Sequence, residues 1–111
     1  MATQLNYPEI IKKILLDYGE YYSRDNEFPL KTLFDDKQQS YMLLDVGWYG
    51  QEYIHNAPIH LEIIDGKIWI QNDDTEDGVA ADLLEAGVDR VDIVLGFRHP
   101  KIRPYTEFAR G

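Results

Sequence analysis

His60 to Asn72 reads HLEIIDGKIWIQN, and its centre decides the fold. Asp65-Gly66 lies between two β-rich runs, a strong short-range signal for a two-residue type I′ hairpin. Such a turn sets the register: Ile64 opposite Lys67, Ile63 opposite Ile68, Glu62 opposite Trp69 and Leu61 opposite Ile70. Side chains alternate across a strand, so Ile59, Leu61, Ile63, Ile68 and Ile70 share one face, which must be the core side. His60, Glu62, Ile64, Lys67, Trp69 and Gln71 share the other. A tryptophan and ionisable groups on the outward side of a sheet make that face a chemical site, a docking surface, or simply a solvated one.

Working upstream, Ser40 to Trp48 is a strand with apolar residues on both faces: Met42, Leu44, Val46 and Trp48 on one, Tyr41, Leu43, Asp45 and Gly47 on the other. A two-sided strand of this kind belongs inside a sheet. GWYGQ (47–51) then turns the chain into a third strand from Tyr53. Pro58 lacks an N–H for the ladder, so a bulge or an edge is expected there. Leu30 to Asp35 is a shorter strand. Before it, Ile10, Ile11, Ile14, Leu15, Tyr18 and Tyr22 recur at helical spacing, predicting a helix from Pro8 to about Arg24 whose apolar stripe is core. Downstream, Thr75 opens a second helix with Val79, Ala80, Leu83 and Leu84 as its buried stripe and Gly87 as its stop. Asp92 to Phe97 is the last strand. The order α-β-β-β-β-α-β predicts one α+β domain over residues 1–111, an antiparallel β-meander of four to five strands with two α-helices on one face.

Composition narrows the functional classes. The chain has 111 residues, 44% apolar and 28% charged, the balance of an ordinary globular domain. It has no cysteine, which excludes disulfides, thiolate chemistry and cysteine-ligated zinc. With neither a signal-peptide layout nor a membrane-length apolar run, the expectation is a cytoplasmic protein. A domain this small gains burial by pairing, so a homodimer is expected. The net charge of −9 argues against autonomous nucleic-acid binding, which draws its affinity from cations on phosphates. The charge is uneven, however. Arg98, Lys101, Arg103 and Arg110 face only Glu107 in the C-terminal segment, and are candidate phosphate contacts if they do not pair with the acidic body.

Sites for chemistry are sparse. NDDTEDG (72–78) resembles part of a calcium loop, but neither possible register places both the glycine and the final glutamate, so no metal site is predicted. Carboxylates at a helix N-terminus explain that cluster better. His60-Leu61-Glu62 matches the H-x-E of zinc deaminases without the cysteine pair those enzymes need. His60 and Glu62 remain the candidate acid–base pair of a small hydrolase, although a strand histidine is more often a hydrogen-bonded surface residue. Gly47-Trp48-Tyr49-Gly50 has the GxxG form of a KH loop but lies between strands rather than helices. No cofactor motif is present. What stands out is aromatic side chains on an outward sheet face, a common anchor of protein interfaces. Trp48, Tyr49, Trp69 and Glu62 are the candidate partner-binding residues; the competing reading is that a helix or the C-terminal segment lies over Trp69.

LLDVGW (43–48), IHLEIIDGKIWIQND (59–73), LLEAGV (83–88), DIVLGF (92–97) and PYTEFA (104–109) together resemble the XisI family, the cyanobacterial fdxN element excision controlling factors. The resemblance covers nearly the whole chain. It implies an accessory role in developmentally regulated removal of a DNA element by a site-specific recombinase, beside XisH, a partner that resembles the restriction-endonuclease class. It transfers no catalytic residue. The resulting expectation is a protein that acts by contact with an XisH-like partner and without catalysis. Direct DNA binding through the basic residues is the alternative, and a His60–Glu62 hydrolase is the third.

Overall fold

The apolar spacing of the N-terminal segment forms helix α1, Tyr7–Ser23. Pro8 sits in its first turn, where a missing N–H costs nothing, and Asn6 Oδ1 accepts the Glu9 N–H at 3.2 Å. Ile11 and Leu15 are fully buried, with Ile10, Ile14 and Tyr18 packed beside them. The computed structural model describes residues 5–23 and 30–111. The expected helix end at Arg24 and the Tyr22 side chain fall outside them.

Four strands follow: β1 Lys31–Asp35, β2 Ser40–Tyr49, β3 Glu52–Ile64 and β4 Lys67–Asp73. They form the expected antiparallel meander, with β2 paired on both sides. Helix α2, Val79–Glu85, then leads to β5, Ile93–Leu95, and the sheet order is β1-β2-β3-β4-β5. One feature of the expected meander is corrected. The fifth strand runs parallel to β4, pairing Ile68 with Ile93 and Ile70 with Leu95. The helical connection carries the chain back to the starting end of β4, which a tight hairpin does not do.

α2 also begins later than Thr75. Gly78 adopts φ 84° and brings no side chain to cap the helix. The acceptor comes from farther back: Asp73 Oδ2 takes the Val79 N–H at 2.7 Å, while its Oδ1 takes the N–H and hydroxyl of Thr75. NDDTEDG is therefore wound around one carboxylate. At the other end Gly87 is left-handed (φ 100°), and the N–H groups of Gly87 and Val88 close on Leu84 and Leu83, a Schellman-type stop.

The core lies between one sheet face and both helices. Tyr41, Leu43, Ile59, Leu61, Ile63, Ile68, Ile70 and Ile93 meet Ile11, Leu15, Val79, Leu83 and Val88. Each such aliphatic side chain contributes roughly 1.5–3 kcal/mol on burial. A one-residue slip of β3 against β4 would turn the core side chains of one strand to water, Ile59, Leu61 and Ile63 or Ile68 and Ile70, so the register is strongly fixed.

Pro58 lies in a bulge. Leu43 pairs with Ile59 and Asp45 with Asn56, so Ala57 and Pro58 both oppose Leu44. Beyond it, residues 45–56 of β2 and β3 pair only with each other, since β1 reaches no farther than Leu44 and β4 no farther than Ile59. This two-stranded ribbon lengthens the molecule, which measures 49 × 36 × 26 Å. The radius of gyration is 14.7 Å, against about 13 Å for a compact domain of this length.

Candidate docking surface

The β3–β4 turn is the expected type I′: Asp65 and Gly66 both have positive φ, 52° and 79°. Its register pairs Ile64 with Lys67, Ile63 with Ile68, Glu62 with Trp69 and Leu61 with Ile70. The outward face of the hairpin carries His60, Glu62, Lys67 and Trp69, all half-buried. A second bulge separates Leu61 from His60, which pairs with Asn72 and leaves Gln71 over. The freed Gln71 amide donates to Glu62 Oε1 at 3.1 Å. His60 Nε2 instead shares a 2.9 Å hydrogen bond with Ser40 Oγ. The two residues proposed as an acid–base pair are thus engaged by different neighbours.

Trp69 lies beneath the C-terminal segment. The Arg103 guanidinium stacks over its ring at 4.9 Å, held there by Nε–H to the Arg98 carbonyl at 3.0 Å and by Nη2 to that of Gly96 at 3.3 Å. Gly96 permits the approach: a Cβ there would meet Gln71 Oε1 at 2.6 Å and Trp69 Cε3 at 3.1 Å. Farther along, Ala109 N–H donates to Ile93 O at 2.8 Å, and Lys67 Nζ donates to Gly111 O at 2.7 Å. Val94, beside Trp69 in the register, is fully buried on the outward side as a result. Phe108 packs against the main core.

Trp48 is different. It sits on the ribbon, 58% exposed, with the Tyr53 ring across the strand pair at 5.1 Å. Tyr49 points to the other side of β2, where its hydroxyl donates to Asp45 at 2.8 Å; this bond to a carboxylate pushes the phenol pKa up. The four candidate contact residues therefore form two groups, Trp48 with Tyr49 on the ribbon and Glu62 with Trp69 beside the C-terminal segment. Of the four basic residues, Arg98 (over the Phe97 ring at 5.2 Å), Lys101 and Arg110 are exposed, whereas Arg103 is turned onto Trp69. Arg90 and Glu107 form an exposed ion pair at 3.2 Å, which ties the segment to the body.

The helical side is acidic. A cleft of about 610 Å³ between α1 and the loop before α2 is lined by Asp17, Glu20, Glu76, Asp77 and Asp82 together with Tyr18, Tyr21 and Thr75. The Tyr18 hydroxyl donates to Asp82 at 2.5 Å, and burial with that bond pushes its pKa up. Among the described residues no His, Asp and Glu group is arranged to hold a metal ion, and no helix is long and apolar enough to cross a membrane. Of the two readings of Trp69, the structure has the C-terminal segment lying over it; the contact through Arg103 is the part that the pattern of strands and helices did not show.

Comparison with known proteins places this architecture. The model of the XisI protein family matches residues 1–110. A crystal structure of a XisI-like protein from Anabaena variabilis ATCC 29413 superposes with a TM-score of 0.86 at 37% identity, covering 93% of this chain and 94% of that one. That of the fdxN element excision controlling factor XisI from the same organism gives 0.79 at 33% identity, covering 95% and 96%. No curated protein sequence matches significantly.

Proposed function

From the premise that the chain belongs to the XisI family, we propose that it is an accessory factor controlling excision of a DNA element by a site-specific recombinase, acting by protein contact without chemistry of its own. The observation that carries this reading is the end-to-end likeness to an fdxN element excision controlling factor. The partner is an XisH-like protein of the restriction-endonuclease class. The acidic cleft beside α1 supports a basic, DNA-handling partner, because a field of one sign steers association with the opposite sign. Trp48 and Tyr49 on the ribbon, with Glu62 and Trp69 on the outward hairpin face, are the contact residues. The separate engagement of His60 and Glu62 supports contact over hydrolysis.

A second reading, direct DNA binding, draws support from exposed Arg98, Lys101 and Arg110 interleaved with Phe97 and with Tyr105, which is 87% exposed. Two measurements separate these readings. Calorimetry against the XisH-like protein should show binding that Trp69→Ala weakens with the fold intact. Titration with duplex DNA at two salt concentrations should show no complex of steep salt dependence. Unchanged partner affinity in Trp69→Ala removes that residue from the contact; tight, salt-sensitive DNA binding favours the second reading instead.

A further inference from the structure

Met42, Leu44, Val46 and Trp48 follow one another on the outward face of β2. The C-terminal segment covers Trp69 and Val94 on β4 and β5, whereas the first three of these β2 residues stay half-exposed and Trp48 is mostly exposed. Leu33, 46% exposed, stands opposite Met42 on β1 and widens one end of the strip. Tyr53, 52% exposed and stacked on Trp48, widens the other. No charged side chain interrupts these six residues, in a chain of net charge −9; Lys31, His55 and His60 flank them, opposite Leu44, Val46 and Met42, and Asp35 stands beyond the Met42 end, opposite Ser40.

The ends of the strip differ in shape. At the Met42 end, Leu33, Phe34, Asp35, Gln38, Ser40 and Met42 line a shallow hollow of about 350 Å³. At the other end Trp48 projects, roughly 20 Å away along the strand at about 3.4 Å per residue. We propose that this strip binds the same strip of a second copy of the chain. A two-fold axis passing between Leu44 and Val46 exchanges the two ends, so that each Trp48 enters the hollow of the other copy.

Charge favours this occupant. Asp35, in the lining of the hollow, accepts from the Lys37 and Gln38 N–H groups; otherwise two strongly acidic molecules meet here over six uncharged side chains, which themselves offer a basic partner no opposite charge. Area favours it too: the exposed parts of the six side chains come to roughly 500 Å², near the top of the range for a monomer's largest apolar patch and over half of the ~800 Å² each partner gives to a stable interface. A self-complementary patch closes as a dimer rather than a filament. The inference rests on the reading of the chain as a contact protein only in taking surface contact to be its function. Trp48 then serves the second copy or the XisH-like partner but not both at once, while Tyr49 on the other side of β2, Glu62, Trp69 and the acidic cleft remain for that partner.

Light scattering and sedimentation on the purified full chain, with neither XisH-like protein nor DNA present, test it independently of that reading. At tens of micromolar the mass should be twice the monomer's 13.0 kDa. Trp48→Glu and Leu33→Glu should each weaken the dimer more than tenfold with an unchanged circular dichroism spectrum. Trp48→Lys combined with Leu33→Glu in one chain should restore it, because the axis brings the two positions together. Should Trp48→Glu disturb the ribbon, Leu33→Glu on the opposite end carries the same test. A wild-type monomer throughout this range, a dimer insensitive to both single substitutions, or a combination no better than either alone would overturn the proposal.

Discussion

Arg103→Ala uncovers Trp69, and its size follows from three contacts. The guanidinium lies 4.9 Å from the ring centre and donates to two carbonyls, at 3.0 Å to Arg98 and 3.3 Å to Gly96. A partly exposed cation–π contact contributes about 0.5–1 kcal/mol. Hydrogen bonds from a charged donor contribute about 1.5–3 kcal/mol when well formed, but Arg98 is exposed and the Gly96 bond is long, so both fall at or below the lower end. A total loss of about 2 kcal/mol results. The segment does not detach, because Ala109 still bonds Ile93 at 2.8 Å and Phe108 still packs on the core.

Urea unfolding should therefore show a stability decrease of about 2 kcal/mol without a change in slope, and the melting temperature should fall by roughly 8 °C or more. A Trp48→Phe background leaves Trp69 as the sole tryptophan, and acrylamide should quench it markedly better after Arg103→Ala. Arg103→Lys should recover only part of both effects, since lysine keeps the charge but loses the planar fork that reaches two carbonyls. Equal quenching and equal stability with and without the Arg103→Ala substitution would refute the placement of this segment over the indole.

Two further perturbations probe other parts of the fold. Asp73→Ala removes the acceptor of the Val79 and Thr75 N–H groups and should cost about 2 kcal/mol, the upper range for a helix cap; an unfolding midpoint equal to that of the wild type would show that α2 does not depend on this carboxylate. Tyr7 and Tyr41 donate to Asp92 and Asp36, and each is pushed up to about 12 from 10.0, Tyr7 chiefly by its bond to Asp92 and Tyr41 chiefly by burial. Because the folded state favours the neutral phenols, their contribution to stability is complete below pH 10 and is lost as pH rises through about 12. Phenolate absorbance should lag accordingly and rise with alkaline unfolding, and Tyr7→Phe should remove one late step; a titration finished near the ordinary value with the fold intact would contradict this.

Local rules carried the fold as far as β4. Asp65-Gly66 dictates a turn with positive φ at both positions, the turn dictates the register, and the alternation of isoleucines then separates core from surface. The same logic places Pro58 in a bulge, where its missing N–H breaks no ladder. Local rules failed where geometry depended on a remote group. Thr75 looks like a helix start, yet Asp73 winds the next residues into a loop and delays the helix to Val79. DIVLGF looks like one more strand of the meander, yet its direction is set by the helical connection before it, and a turn closed by the Arg98 N–H on the Leu95 carbonyl ends the strand at Leu95.

The two tryptophans show why the surface was harder to read than the core. Trp48 and Trp69 both stand on outward positions of strands, and no local pattern distinguishes them. What separates them is Arg103, far along the chain in a segment punctuated by Pro100 and Pro104, where neither a 2.0 nor a 3.6 residue period operates. An indole under a guanidinium presents a different surface from a bare one: cationic, with only its uncovered edge offered to a partner. A partner that reaches Glu62 and Trp69 must therefore accommodate Arg103 or displace it, which costs the contacts weighed above. Trp48 meets no such obstacle. A partner docking on the ribbon would accordingly need no rearrangement there, whereas one docking on the covered indole would have to move the segment above it.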